Sequence, residues 1–196
     1  MEKGSIYRLL VRKLLVVKAS VFVLALAPGL GAAEESKGQL TEEQKEQLER
    51  TAEVSIKTQF KSLYDKGIDN ASARIGGQGG IKPFAVAMTP SGESRAIRIK
   101  QAESMPADVA LEVLRRSLGA LAKQGKLAAT AVFYVTDNPN SDASSDRVLI
   151  AEMEHILGPH LAQVTPYRIT EGTPEFGEPA AIEVPSQIFN QKDESE

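Results

Sequence analysis

Three apolar runs rich in β-branched residues follow one another between residues 127 and 169, and they constrain the fold more than any other feature of the chain. The runs cover residues 127–137, 146–155 and 160–169, with turn-forming residues between them. Connections this short join antiparallel neighbours, because a parallel pair needs a crossover of about a dozen residues or more. The sequence therefore predicts three neighbouring antiparallel strands whose apolar face requires a helix to cover it.

The residues before these runs predict two helices and a hairpin. Thr41 and Gln44 have the spacing of a capping box, so a first helix is expected to start there and to end at Gly67. Residues 84–99 contain two short alternating segments around a turn, which is typical of a β-hairpin. The apolar positions expected to face the sheet are Leu48, Ala52, Ile56, Phe60 and Leu63 in the first helix and Leu111, Leu114, Leu118 and Leu121 in the second, which ends at Gly125.

Two further expectations concern the surroundings of these helices. The second helix is expected to pack on strand residues Val132, Tyr134, Leu149, Ala151 and Met153. Residues 69–80 end in a glycine-rich run. They are expected to be a linker, because a phosphate-binding loop needs a preceding strand, a following helix and a lysine in place.

The order of elements is α-β-β-α-β-β-β, which predicts an α+β fold with a five-stranded antiparallel sheet covered by two helices. Residues 180–184 would add a sixth strand at an edge. One domain would then span residues 41–184, between a disordered polar start at 34–40 and a disordered acidic tail at 185–196. This order resembles roadblock and profilin-like domains. The resemblance implies a fold and no activity, and it is compatible with a homodimer paired through sheet edges.

The strands and turns also carry short motifs. These are K-P-F-A-V-A-M at residues 82–88, S-G-E at 91–93, D-R-V at 146–148, E-H at 154–155 and P-Y-R at 166–168. They resemble the motifs of a family of small exported bacterial proteins of unknown function, except that Ser91 stands where the family's turn is acidic. The resemblance implies the fold and brings no activity or cofactor with it.

The first 33 residues have the features of a secretory signal peptide. Five basic residues precede or flank an apolar run at 19–27, and Pro28 and Gly29 follow it. Small residues at 31–33 predict cleavage after Ala33, and the apolar run is too short for the roughly 20 residues that span a bilayer. We therefore expect a periplasmic or secreted protein without a stable membrane anchor after processing.

Charge and cysteine content exclude several classes of function. Cleavage removes five of 23 basic residues and one of 26 acidic residues, which leaves 18 against 25 and a net charge of −7. An acidic chain gains nothing from neutralising phosphates, so nucleic acid is not an expected partner. The absence of cysteine excludes disulfides, thiol nucleophiles and thiolate metal sites.

The two histidines of the chain, His155 and His160, flank a turn. If that turn closes a four-residue hairpin, the imidazoles face each other across the strands at about 5 Å between Cβ atoms. Glu154 or Glu152 would then complete a metal site or supply a base. The spacing matches no established metalloprotease motif, and two solvated histidines at a hairpin end are the commoner outcome.

A surface for another molecule is the alternative to catalysis. Its candidate residues are Arg98, Lys100, Arg115, Arg116 and Tyr167. No G-x-S-x-G elbow is present, so no catalytic residue is assigned and no cofactor is expected. The sequence favours an exported binding or protein-interaction domain. A small metal-dependent or carboxylate hydrolase centred on His155 and His160, and an inhibitor or immunity-type protein, are the alternatives.

We expect the mature protein to begin at Glu34. Replacing Ala33 by leucine puts a large side chain at the cleavage position and should leave the precursor uncut. Ala25→Leu is the matched control, since it changes only the apolar run. Intact-mass spectrometry of the exported protein checks both, and a full-length wild-type chain retained in the membrane fraction would contradict the prediction.

Overall fold

The computed structural model of the chain describes residues 41–75, 80–140, 145 and 147–189. The predicted signal peptide and polar start, at residues 1–40, lie outside the described residues. The chain divides into two compact units, Met1–Ser55 and Ile56–Glu196. Within the described ranges, no helix combines the length and the hydropathy of a bilayer-spanning segment.

Helix α1, Glu42–Ser72, begins at the predicted capping box. The backbone N–H of Thr41 donates to Gln44 Oε1 at 2.9 Å, and the Gln44 N–H donates to Thr41 Oγ1 at 3.3 Å. In the first unit, Leu48 is 50% exposed, so its predicted inward position is wrong. In the second unit, Ile56, Phe60 and Leu63 are buried, which confirms the predicted apolar stripe from Ile56 onward.

Within the described residues, seven antiparallel strands form one sheet. They are β1 Phe84–Met88, β2 Ser94–Ile97, β3 Ala129–Asp137, β4 Arg147–His155, β5 His160–Thr170, β6 Thr173–Phe176 and β7 Ala180–Ile182. The order across the sheet is β2-β1-β3-β4-β5-β6, and β7 pairs with another part of β5. The α+β class and the antiparallel sheet are confirmed, and β7 is the predicted edge strand.

Strand β6 is the strand that the sequence did not predict. It pairs with β5 through a two-residue turn, Glu171 and Gly172, between the paired residues Thr170 and Thr173. Both turn residues have positive φ, 52° and 81°, as a hairpin turn that follows the twist of its strands requires. Asparagine or aspartate is usual at the first of these positions, and because glutamate stands there the turn could not be recognised from the sequence.

The two helices cover opposite faces of the sheet. Helix α2, Ala107–Lys123, covers the face that we call the α2 face. Its buried cluster is Ala85, Ala87, Leu114, Leu118, Leu127, Val132 and Ile188. The part of helix α1 within the second unit, residues 56–72, covers the other face, the α1 face, where Gly67 meets Phe133, the neighbour of Val132 in β3.

This arrangement corrects part of the predicted contact surface of α2. Strand register pairs Ala151 with Phe133, Met153 with Ala131 and Leu149 with Val135. Directly paired residues share a face, so these three predicted partners of α2 lie on the α1 face instead. Leu114 and Leu118 are nevertheless almost fully buried, as predicted.

The ends of α2 are set by local chemistry. Strand β2 ends at Ile97, two residues before the predicted end at Ile99, and a 3-10 helix, Lys100–Ser104, then precedes α2. At its carboxyl end, the N–H of Gly125 donates to the Ala122 carbonyl and the N–H of Lys126 donates to the Leu121 carbonyl. These bonds and the positive φ of Gly125 (68°) form a Schellman motif, which confirms the predicted end of this helix.

Gly67 does not end α1, because the helix continues to Ser72 and takes in the start of the predicted linker. A Cβ at Gly67 would overlap the ring of Phe133. That ring is fully buried and stacked on Phe84, with 5.0 Å between centroids and 11° between planes. The glycine is therefore needed for close packing of the helix on the sheet, and not for a helix end.

We expect Gly67→Ala to lower the free energy of unfolding by about 3 kcal/mol, because the stacked ring has no space to move into. Helix propensity alone would raise stability by up to about 1 kcal/mol. Urea denaturation followed by circular dichroism measures the difference, with Ser72→Ala as the exposed control on the same helix. A stabilised Gly67→Ala protein would contradict the packing described above.

Candidate functional site

The β4–β5 hairpin separates the two histidines. Register pairs Glu154 with His160, so five residues, and not four, lie between the last paired positions of the hairpin, and His155 has no partner in β5. His155 is the strand neighbour of Glu154 and points to the opposite face, away from His160. The predicted facing pair of imidazoles therefore does not form. In the part of the chain that the structure describes, no group of three histidine, aspartate or glutamate side chains could hold a metal ion.

His155 is buried against α1 and is held as a neutral ring. Its Nδ1 accepts the N–H of Leu157 at 3.0 Å, which leaves Nε2 to donate to Gln59 Oε1, also at 3.0 Å. The Phe60 ring approaches edge-on, with 6.3 Å between centroids. Burial lowers the pKa of His155 below its ordinary value of 6.5.

His160 has a simpler environment. It is half-buried, and its Nδ1 lies 2.8 Å from the carbonyl oxygen of Gly158. This contact stays within the hairpin turn, where Gly158 has a positive φ of 98°. His160 thus completes the turn.

Glu154 is 3% exposed and binds the chain's own carboxyl-terminal segment. Its Oε1 accepts the N–H of Gln187 at 2.7 Å. Its Oε2 accepts the Ser186 hydroxyl at 2.6 Å and the N–H groups of Ile188 and Phe189 at 3.0 and 3.2 Å. The predicted disordered tail is therefore wrong for residues 186–189, while residues 190–196 lie outside the described part.

Glu152, also on the α2 face, is bound by two side chains. Arg115 donates to both carboxylate oxygens, at 2.7 and 2.6 Å, and the Tyr134 hydroxyl donates to Oε1 at 2.7 Å. The Arg115 and Glu152 side chains are only 19% and 12% exposed. Burial, and then the hydrogen bond to Glu152, raises the pKa of Tyr134. The group holds α2 against β3 and β4.

The predicted basic surface is not gathered at one place. Arg115 faces Glu152, and Arg116 pairs with Glu112 of its own helix at 2.8 Å. Lys100 is exposed at the start of the 3-10 helix. Arg98 lies near Arg74 of the α1 side, whose pKa is lowered by burial and then by the charge of Arg98. The predicted basic residues therefore do not form one patch, because Arg115 lies on the α2 face and Arg98 lies toward the α1 face.

Arg74 was not predicted as a site residue. Its guanidinium lies over the Phe84 ring, 4.9 Å from the centroid, and its buried Nη1 has no hydrogen-bond acceptor among the described residues. The ring face supplies part of the missing electrostatic stabilisation. A glycine-rich sequence after a helix gave no signal for this contact.

Tyr167 belongs to a cleft of about 180 Å³ beside β5 and β6. The cleft is lined by Ser145, Pro166, Tyr167, Arg168, Glu175, Phe176 and Gly177. Tyr167 and Phe176 are paired in register, and their rings lie 5.7 Å apart and tilted by 49°. Arg168 and Glu175 form an exposed ion pair at 2.8 Å, and the hydrogen bond from Arg168 lowers the pKa of Glu175.

Sequence reasoning identified Tyr167 but not the cleft. The cleft depends on β6, and β6 depends on the turn at Glu171, which the sequence did not reveal. Comparison with protein-family models, curated proteins and solved structures found no match to this chain. The assignment of function therefore depends on the geometry of the chain itself.

We expect the stability of the protein to fall as the pH is lowered from about 7.5 to about 5.5, because His155 must become protonated on unfolding. The pKa of His155 is lower in the folded state than in the unfolded state. Its contribution to the free energy of unfolding is therefore fully present above a pH of about 6.5 and is lost as the pH falls toward the pKa of the folded state. His155→Gln should remove this dependence, whereas His160→Gln should retain it. Urea denaturation at each pH tests the difference, and equal pH dependence in both variants would count against the assignment.

Proposed function

We propose that this protein is an exported, non-catalytic domain that binds another protein. The observation that carries the proposal is that Glu154 and His155 form hydrogen bonds within the protein. Glu154 accepts four hydrogen bonds from residues 186–189, and both ring nitrogens of His155 are engaged. Groups held in this way stabilise the fold and are not free to transfer protons to a substrate.

The cleft beside β5 and β6 is the contact point that we favour. Its volume of about 180 Å³ is smaller than the roughly 300–1,000 Å³ of sites that enclose a metabolite-sized ligand. It is large enough for a side chain. Tyr167 is 2% exposed, so the half-buried Phe176 is the aromatic side chain that a partner would contact. An aromatic side chain with a charged rim suits the anchor residue of a protein partner, because aromatic and arginine residues are favoured at such contacts.

The proposed location is the bacterial periplasm or the exterior. It is supported by the amino-terminal sequence, with its basic residues, apolar run and small residues before Glu34. A chain without cysteine can fold in that oxidising compartment without forming disulfides. The acidic surface of the processed chain would favour a partner with basic groups.

Site-specific photo-cross-linking tests the proposed contact point. A benzoylphenylalanine at position 176, which keeps the aromatic ring and adds a photoreactive benzoyl group toward the exposed side, should give a discrete covalent adduct with one partner protein in the producing cells. The same group at position 100, which is exposed, should not. We expect the adduct to be lost when the rim charges are exchanged by Arg168→Glu with Glu175→Arg, because the internal ion pair is kept while the charges presented to a partner are reversed.

The exposed pair Arg116 and Glu112 supplies the matched control. Exchanging those two charges should leave the adduct unchanged. Failure of position 176 to form an adduct in a folded, exported chain would overturn the proposal for this cleft. A stoichiometric transition metal in the purified protein, lost in His155→Ala, would instead support the hydrolase alternative.

A further inference from the structure

The turn between β4 and β5, residues 156–159, is held on the α1 face by the ring of His155. The backbone N–H of Leu157 donates to His155 Nδ1 at 3.0 Å, so Nδ1 carries a lone pair and no proton. The single proton of the neutral ring is therefore on Nε2, which lies 3.0 Å from Gln59 Oε1. The turn thus uses the ring nitrogen that stops being an acceptor when the imidazole is protonated.

His160, at the other end of the turn, makes the opposite kind of contact. Its Nδ1 lies 2.8 Å from the carbonyl oxygen of Gly158, which can only accept, so this nitrogen carries a proton. A second proton would go to Nε2 and would leave this hydrogen bond in place. His160 is paired with Glu154 on the α2 face, away from His155. Acid therefore removes one imidazole contact of the turn and retains the other.

The groups that face His155 are neutral. Gln59 and Phe60 face the ring from α1, Ala129 is paired with it from β3, and the Leu157 N–H reaches it from the turn. Burial alone lowers the pKa of His155, with no contribution from a charged group of the described residues. The ring therefore regains its ordinary pKa of 6.5 when the turn opens and water reaches Nδ1.

The tip of the turn is attached less firmly than the strands that it joins. The side chains of Ile156 and Leu157 are 51% and 49% exposed, whereas His155 is 5% exposed. The N–H of Gly158 donates to the His155 carbonyl at 2.8 Å within the turn itself. Opening of residues 156–158 therefore exposes little additional apolar surface, and such a segment can open while the sheet remains folded.

We propose that the β4–β5 turn is a pH-sensitive switch, closed while His155 is neutral and opened at residues 156–158 when the ring takes up a proton. In the open form the imidazolium keeps its Nε2–H on Gln59 and donates from Nδ1 to water. The Leu157 N–H is released, and the exposed apolar pair Ile156 and Leu157 changes position. The switch does not involve the cleft beside β5 and β6, so it goes beyond the proposed function.

Native-state amide hydrogen exchange, detected by NMR on the exported chain, separates opening of the turn from unfolding of the domain. The Leu157 N–H reports the turn, and the N–H of Met153 in β4 reports the domain. We expect Leu157 to exchange faster than Met153 at every pH. Its rate should not respond to low concentrations of urea, because opening the turn exposes little surface.

The pH dependence of this exchange tests the switch itself. After correction for the intrinsic exchange rate, opening at Leu157 should increase by up to about tenfold for each pH unit below about 6.5, until the pKa of the closed form is reached. Above about 7, where His155 is neutral in both forms, opening should not depend on pH.

Two variants assign the effect to one ring. In His155→Asn, Oδ1 can accept the N–H two residues on, as asparagine does in turns, but it does not titrate in this range. Opening at Leu157 should then be independent of pH. His160→Gln is the matched control in the same turn, and it should keep the pH dependence of the wild-type chain.

The wild-type chain alone can overturn the inference, even where a variant does not fold. Exchange of Leu157 with the rate and urea dependence of Met153 would show that the turn opens only with the whole domain. Local opening of Leu157 that does not increase below about 6.5 would show that His155 does not control it. Neither result affects cross-linking at position 176, so the binding function at the cleft is tested separately.

Discussion

The structure depends on the two-residue period of its strands, which assigns each side chain to the α1 face or to the α2 face. In β4 this period places Glu152 and Glu154 on the α2 face and Ala151, Met153 and His155 on the α1 face. Each face is covered by its own helix, so both sets of side chains become buried. The register of this one strand therefore decides which polar groups can meet. It separates His155 from the two carboxylates beside it in the sequence.

The two faces satisfy their buried polar groups in different ways. The α2 face holds two carboxylates, which are bound by Arg115, Tyr134 and the segment at residues 186–189. The α1 face has neutral hydrogen bonds, such as those from His155 to Gln59 and between Tyr64 and Thr165 at 2.7 Å, together with the guanidinium of Arg74 over the Phe84 ring. Buried charges require paired or multiple hydrogen bonds, so the α2 face needed a distant part of the chain to complete it.

Much of this architecture could be predicted from local patterns. The leucine stripe of α2, the capping box of α1 and the three runs that form β3, β4 and β5 were each recognisable, because their signals lie within a few residues. Gly67 was misread as a helix end because a buried glycine and a terminal glycine look the same in a sequence. The difference lies in Phe133, which is distant in the chain.

The candidate sites were less predictable, because each depends on contacts between distant residues. A pairing register shifted by one residue, with Glu154 and not His155 opposite His160, placed the histidines on different faces. The cleft at Tyr167 required β6, whose turn begins with an unusual residue. The contact between Glu154 and residues 186–189 joins positions more than thirty apart in the chain. Charge composition had indicated a solvated tail there instead.

The carboxyl-terminal segment illustrates how a buried carboxylate can bring a distant part of the chain onto the sheet. A carboxylate on a sheet face cannot remain beneath an apolar cover without donors, and the N–H groups of residues 187–189, where the backbone bends, supply three of them. The Ser186 hydroxyl supplies the fourth. Because three of the four donors belong to the backbone, Glu154 fixes the path of the chain at these residues, and the side chains of Ile188 and Phe189 then complete the apolar cover beside it.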